Sequence, residues 1–267
     1  MEVFRVIKPM RQELPVLLSI PHAGTHFPDE VADDFKRSLR KVPDDTDWFV
    51  DKLYDFAPEL GVTTIAANIS RWVIDLNRHP ESKPLYHDGR IITALCPTTD
   101  FLGNPLYCDE RKDVDPAEVE RRIQHYFNPY HEQLQAELHR LRHQFGKVLL
   151  WDCHSIRQSV STIHKDKFPD LILGDADGQS AATELTQIAL RSLQQSHYRV
   201  SHNFPFKGGY ITRAYGKPSQ HMHALQLEMT KVNYMNDTEL AYDENRALPV
   251  RTILQNTLRT LAEHLTS

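Results

Sequence analysis

Apolar positions along this chain fall into short unbroken runs, separated by stretches in which they recur every three or four residues. Residues 16–20 (Val-Leu-Leu-Ser-Ile) are such a run, closed by Pro21, and 147–153 (Lys-Val-Leu-Leu-Trp-Asp-Cys) are another. Runs of this length read as strands buried on both faces. Residues 62–66 are rich in β-branched side chains and follow a helix stop at Gly61, which predicts a third strand. The segments 71–76 (Arg-Trp-Val-Ile-Asp-Leu), 170–173 and 224–229 predict three more. Between these, 29–39 is helical in pattern. Phe49, Leu53 and Phe56 share a helix face after Asp44-Asp45-Thr46-Asp47, a cluster suited to a helix N-terminus. Val119, Ile123, Phe127, Tyr130, Leu134, Leu138, Leu141 and Phe145 step by three and four through a long helical region. Pro129 should kink or divide that region and Gly146 should end it. Residues 180–195, with Ser180 as N-cap, and 247–265 predict two further helices. Residues 77–115 are crowded with Pro, Asp, Gly and Tyr and predict a long loop, a candidate cover for a site. Strands alternating with helices indicate an α/β layered fold. No repeat, low-complexity tract or Gly/Ser linker interrupts it, so 1–267 reads as a single domain.

Composition removes several function classes. With 40% hydrophobic and 25% charged residues the chain can bury a core without disulfide or metal staples. Its 31 basic and 36 acidic residues are well mixed and leave a net charge of −5, so no basic stripe for nucleic acid is present. No apolar run approaches the roughly 20 residues that span a bilayer, and no membrane partner is expected. The start, Met1-Glu2-Val3-Phe4, has neither the basic nor the apolar region of a secretory signal. Cys96, Cys108 and Cys153 are too scattered for a disulfide framework or a cysteine zinc site. A reduced, cytoplasmic protein is the expectation. The one skew is histidine, fifteen residues against ten glycines.

In α/β sheets, ligands bind outside the carboxyl ends of the strands, so the polar residues that follow the predicted strands carry the chemistry. These are Pro21-His22-Ala23-Gly24-Thr25-His26, Asp152-Cys153-His154-Ser155, Asp75-Leu76-Asn77-Arg78, and Glu228. Two histidines, a carboxylate and an Asn-Arg pair compose a metal-dependent hydrolase site. His22 and His154 stand out from the other histidines because each follows an apolar run at once. A catalytic zinc takes three protein ligands and keeps one open position; the third ligand is open among His26, Asp44, Asp45, Asp47 and Asp51. Glu228, flanked by apolar residues, suits general acid/base work, since burial raises a carboxyl pKa. Arg71, Arg78 and Arg213 can each grip a carboxylate in two-pronged fashion, which points to an anionic substrate. Lys207-Gly208-Gly209-Tyr210 is a turn that could let backbone approach a ligand. Other mechanisms have little footing. There is no Gly-x-Ser-x-Gly elbow or Gly-rich phosphate loop, and Cys153 and His154, adjacent on a strand, point to opposite faces.

Taken together, Ser19-Ile20-Pro21-His22-Ala23-Gly24, Asp45-Thr46-Asp47-Trp48, Ser70-Arg71 with Asp75-Leu76-Asn77-Arg78, Asp152-Cys153-His154-Ser155, Gly208-Gly209-Tyr210 and Gln226-Leu227-Glu228-Met229 resemble the N-formylglutamate amidohydrolases, in that order along the chain. The resemblance implies a zinc carboxypeptidase-like α/β fold, a three-layer sandwich around a mixed central sheet. It implies hydrolysis of N-formyl-L-glutamate to formate and L-glutamate, the last step of one histidine-degradation route, with one Zn2+ or another divalent ion. His22 and His154 match the histidine ligands of the carboxypeptidase relatives that the resemblance brings in. Thr25 stands where a His-x-x-Glu motif would place its carboxylate, so the third ligand is assigned to Asp47, with Asp45 behind it. Glu228 takes the place of the general base, and Arg71 assists at the developing oxyanion. Asn77, Arg78, Arg213, Tyr210 and Gly209 are left to bind a small dianionic N-acyl amino acid. The alternatives are a related amidohydrolase for another N-acyl amino acid and a metal- or ligand-binding relative without catalysis.

Overall fold

In the computed structural model, the described residues, 2–81 and 94–267, form seven strands paired in one mixed sheet. In chain order these are β1 (Phe4–Ile7), β2 (Val16–Ile20), β3 (Thr63–Ala67), β4 (Val148–Ile156), β5 (Leu171–Gly174), β6 (Val200–His202) and β7 (Met222–Thr230). Across the sheet the order is β1-β3-β2-β4-β7-β5-β6. β3, β2, β4 and β7 run parallel in the middle. β1 is antiparallel to β3, and β5 antiparallel to β7 with β6 parallel to β5, which makes the sheet mixed. The helices are α1 (Asp29–Ala32), α2 (Arg37–Arg40), α3 (Val50–Leu53), α4 (Ala57–Leu60), α5 (Pro116–Arg122), α6 (Asn128–Phe145), α7 (Thr183–Leu193), α8 (Tyr210–Tyr215) and α9 (Glu244–Thr266).

Every residue of β2, β4 and β7 is buried, as their unbroken apolar runs require. The period of two splits each strand between two cores. Val16, Leu18, Leu149, Trp151, Leu225 and Leu227 pack with α3, α4, α7 and α9 on one face. Leu17, Val148, Leu150, Met222 and Ala224 pack with α1, α6 and α8 on the other. Helices therefore cover both sides, giving three layers. At about 2 kcal/mol for each fully buried leucine, these two interfaces drive the assembly.

The second face matters for function. Along β4 its residues run Val148, Leu150, Asp152, His154, and along β7 Met222, Ala224, Gln226, Glu228. In register, Asp152 lies beside Gln226 and His154 beside Glu228. The same alternation that buries apolar side chains near the start of both strands thus delivers four polar ones toward their carboxyl ends.

Several sequence expectations shift in detail. Residues 71–76 are not a strand. They are a buried turn, with Val73 N bonded to Ser70 O and Asp75 N to Leu95 O. Trp72, Val73, Ile74 and Leu76 are apolar because the turn sinks into the α6-side core, not because they pair in the sheet. β4 runs to Ile156, so His154 sits within the strand rather than after it. The helix pattern at 29–39 resolves into α1 and α2, and that after Asp47 into α3 and α4. Asp44 to Asp47 form a turn ahead of α3. The long helical region is divided as expected, with Pro129 in the first turn of α6 after a π-helical turn, Ile123–Phe127. Gly146, at φ +78°, ends α6. Ser180 caps no helix; its hydroxyl donates to Ala224 O, and α7 starts at Thr183. Part of the expected loop at 77–115, residues 82–93, lies outside the described residues; 94–115 contains no helix and no strand beyond isolated bridges. Among the described residues no helix is long and apolar enough to cross a membrane.

Candidate metal centre

Two loops and two strands converge at the carboxyl end of the sheet. His22 leaves β2 and Asp47 comes from the turn before α3. Their backbones are tied directly, Asp47 N donating to His22 O at 3.0 Å. His154 arrives on β4. One ligand atom from each of His22, Asp47 and His154 lies within 4.8 Å of the other two, and all three residues are buried. His154 Nδ1 is 3.1 Å from Asp47 Oδ2, and His22 Nδ1 is 3.6 Å from the same oxygen.

Each histidine turns its Nδ1 toward Asp47 and gives its Nε2 to a second buried carboxylate. His22 Nε2 donates to Asp75 Oδ1 at 2.7 Å, and His154 Nε2 to Asp152 Oδ2 at 2.8 Å. This is the arrangement in which an outer carboxylate fixes the ring and raises its basicity as a ligand. His22 Nδ1 and Asp47 Oδ1 are both buried and have no hydrogen-bond partner among the described residues. Two orphaned lone-pair donors facing one spot, with imidazole and carboxylate chemistry, fit a divalent transition-metal ion.

The three buried groups also shift one another's charge. Burial alone would push the Asp47 carboxyl up, but the His154 and His22 rings outweigh it and hold Asp47 below the usual carboxylate range. Burial opposes a charge on His154 too, yet Asp152 first and then Asp47 raise it well above an ordinary histidine. Asp75 is kept well below its usual value, against its burial, by Arg71, His22 and Arg78.

The competing ligands are committed elsewhere. Both oxygens of Asp45 accept from Phe101 N, and one also from Trp72 Nε1 at 2.8 Å. Asp44 is gripped by Arg157 and Asp51 by Arg5. His26 spends its backbone pairing with Asn68 and Ser70, and it is not among the three clustered residues.

Asp75 does more than orient His22. Its Oδ2 accepts from Arg71 Nη2 at 2.7 Å and lies 3.8 Å from Arg78 Nε, and its Oδ1 also accepts from Asn77 N. Arg71 in turn brings Nη1 to 3.7 Å from Asp47 Oδ1. One buried carboxylate thus spans a metal-facing histidine and two arginines. We expect Asp75→Asn to weaken zinc binding by about 10–100-fold in a calorimetric titration, with the fold retained.

Asn77 is fully engaged. Its Oδ1 accepts from Ile211 N at 2.8 Å, capping α8, while Nδ2 lies 3.0 Å from His154 Nε2 and 3.4 Å from Gln226 Oε1. Gly209 is needed here for space rather than for unusual backbone angles. A Cβ on it would fall 2.3 Å from Asn77 Nδ2 and 2.5 Å from Cγ, and Gly209 N donates to Gln226 Oε1. Gly209→Ala should therefore cost about 1–3 kcal/mol in thermal unfolding and displace Asn77 from His154. Tyr210, against Phe127, His131 and His79, and Arg213, whose Nε donates to Gly208 O, belong to α8, whose start is docked on Asn77. The Glu228 side chain makes no hydrogen bond or ion pair among the described residues; the residue is 9% exposed, and its carboxyl is pushed by burial up to about 8.

His22, Asp47, His154, Arg71, Asn77, Gly209 and Glu228, expected from sequence at one site, lie together in the structure. Asp75 and Gln226 have no role that their own segments reveal: the apolar pattern of 71–76 puts Asp75 at the end of a strand, and Gln226 becomes visible only when its register beside Asp152 is known.

A family model described as N-formylglutamate amidohydrolase matches residues 14–235, a span that includes all of these positions. The chain belongs to the N-formylglutamate amidohydrolase family. It is 42% identical over 255 residues to the N-formylglutamate deformylase of Pseudomonas putida, covering 93% of this chain and 92% of that protein. It is 40% identical over 258 residues to the N-formylglutamate deformylase of Pseudomonas aeruginosa, covering 94% of both. Its fold matches the crystal structure of N-formylglutamate amidohydrolase from Ralstonia eutropha JMP134 with a TM-score of 0.83, at 27% identity and 99% coverage of each chain. A gene product of Agrobacterium tumefaciens shares the fold, with a TM-score of 0.73 at 17% identity. Within this family, His22, Asp47 and His154 form the buried group suited to a metal ion.

Proposed function

We propose that this chain hydrolyses N-formyl-L-glutamate to formate and L-glutamate, with zinc held by His22, Asp47 and His154. The observation that carries the reading is the uncommitted carboxylate of Glu228, the register neighbour of His154, beside the His-Asp-His cluster of a family member. When bound, a zinc ion supplies Lewis acidity and a water whose pKa is lowered toward about 7. The protein supplies the rest. A divalent cation held at the cluster would draw the Glu228 carboxyl down from about 8, and as the carboxylate it takes a proton from the attacking water while oxygen adds to the formyl carbon. The Arg71 guanidinium, 3.7 Å from Asp47, faces the negative charge that develops on the carbonyl oxygen. Glu228 then returns the proton to the amide nitrogen, the C–N bond breaks, and formate and the free amine separate. Asp75 and Asp152 hold the histidine rings in place. Arg78, with Arg213 and Tyr210 on α8, completes the binding surface for a dianionic substrate, and Asn77 and Gly209 keep α8 seated against it.

Formate release from N-formylglutamate by the purified chain, before and after chelation and after zinc is restored, tests this. We expect activity that is lost with the metal and returns with it. A zinc-loaded chain that releases formate only from other N-formyl amino acids, or from none, would refute it. Arg78→Ala should raise KM for N-formylglutamate by about 10–100-fold while changing KM for a neutral formamide by less than about threefold. Equal effects on both would remove Arg78 from carboxylate binding.

A further inference from the structure

The turn from Asp100 to Asn104 brings a half-buried aromatic ring, Phe101, against the site. The Arg71 guanidinium carbon lies over that ring, 4.8 Å from its centroid. The same guanidinium reaches to 3.7 Å from Asp47 Oδ1, so a single side chain separates the ring from the metal-facing cluster. Among the described residues Arg71 makes hydrogen bonds to Asp75 Oδ2 at 2.7 Å and to Asp45 O at 3.4 Å. Those bonds use a minority of the N–H donors of a guanidinium. A ring face takes none of the rest; it attracts the cation through its quadrupole and keeps water off it. The Phe101 backbone is fixed at both ends, its N donating to the Asp45 carboxylate at 3.1 Å and its O accepting from Thr162 Oγ1. Asp100 closes the turn, its Oδ1 accepting from Leu102 N and Asn104 N and its Oδ2 from Asn104 Nδ2. The ring packs against a small cluster of Ile156, Val160, Phe168 and Ile172. Packing there asks only for an apolar side chain, whereas a π face beside a buried cation is what an aromatic ring adds.

Resting on the function proposed above, we infer that Phe101 is a positioning residue for the reaction: its ring fixes the Arg71 guanidinium and shuts water off one side of it, so that the charge meets the developing oxyanion in a low-dielectric setting. The juxtaposition is built rather than incidental. Asp45 accepts from Phe101 N through its carboxylate and from Arg71 Nη1 through its backbone carbonyl, so one residue sets the ring and the guanidinium relative to each other. Asp75 and Asp45 hold Arg71 by its donors, and the ring holds it without using one. Charge interactions weaken as the local dielectric rises, so a guanidinium opened to water steadies an oxyanion less.

The test measures formate release from N-formyl-L-glutamate by zinc-loaded wild type, Phe101→Leu and Phe101→Tyr, and by Arg71→Met with and without Phe101→Leu. We expect Phe101→Leu, which keeps the apolar packing, to lower kcat by about tenfold with KM within about threefold of wild type. Phe101→Tyr, which keeps the ring face, should stay within about threefold of wild-type kcat. In the Arg71→Met chain, where no cation lies over the ring, the leucine substitution should change kcat by less than about twofold. A Phe101 that only fills space would lower the melting temperature and cost the same fraction of kcat whether residue 71 is arginine or methionine. That result, or a wild-type kcat in Phe101→Leu, overturns the inference. If Arg71→Met does not fold or turns over too slowly to measure, salt decides. Raising NaCl from about 0.05 M to about 0.5 M should slow Phe101→Ala, which uncovers the guanidinium, at least about threefold more than wild type, and equal slowing overturns the inference. A wild type that releases formate while the two substitutions act independently overturns the Phe101 assignment alone, whereas a wild type inactive on N-formylglutamate overturns the underlying function with it.

Discussion

Glu228→Gln should lower kcat for N-formylglutamate hydrolysis by about 10³-fold while KM stays within about threefold of wild type. The substitution is nearly isosteric, and Glu228 makes no hydrogen bond or ion pair in the described structure that an amide would break. β7 lies between β4 and β5 in the sheet, so the backbone beneath residue 228 is held on both sides. What the variant loses is a group that can accept a proton and give it back, and both halves of the proposed reaction need that group. Zinc affinity should change little, because the ligand atoms are on His22, Asp47 and His154. Stopped assays of formate release, with zinc content measured on the same samples, check both statements. Near-normal turnover by a zinc-loaded Glu228→Gln chain would remove the general base from this position.

How far the site could be read from sequence depended on whether a residue's role follows from its own strand or from a contact across the fold. His154 and Glu228 were legible because each continues an apolar run whose alternation fixes the face it points to. The runs themselves identified β2, β4 and β7 to within three residues at each end. The turn at 71–76 was misread as a strand because burial against α6 selects the same apolar residues as pairing in a sheet. That error hid Asp75, which bridges His22, Arg71 and Arg78 only when the turn folds back over the end of β2. β1 is half-buried at the sheet edge with Arg5 breaking its apolar residues, and β6 is only three residues long, so neither forms an unbroken apolar run. α8 follows two glycines, and its start depends on Asn77, 134 residues earlier in the chain.

Asp47→Ala should weaken zinc binding by about a hundredfold or more, and hydrolysis should fall with it. Dividing the roughly 10–16 kcal/mol typical of a four-ligand zinc site among its ligands gives about 3 kcal/mol for each. Among the described residues Asp47 is also the carboxylate that sits between the two buried rings, so its loss leaves two imidazoles facing each other with centroids 5.0 Å apart. Zinc should raise the melting temperature of the wild-type chain, because it binds only the folded state, and that rise should disappear in Asp47→Ala. Asp45→Asn is the informative contrast. Two residues away and also a buried carboxylate, it should leave zinc affinity within about threefold of wild type, because its oxygens serve Trp72 and Phe101. Its cost should appear as lower stability instead, of about 1–3 kcal/mol, as the buried indole N–H and the Phe101 amide lose their charged acceptor. If calorimetry showed the reverse, with zinc lost in Asp45→Asn and retained in Asp47→Ala, the third ligand would be Asp45. The turn from 44 to 47 would then have to rotate by two residues when the ion binds. The Asp47 N to His22 O bond, which ties that turn to the end of β2, stands against such a rotation.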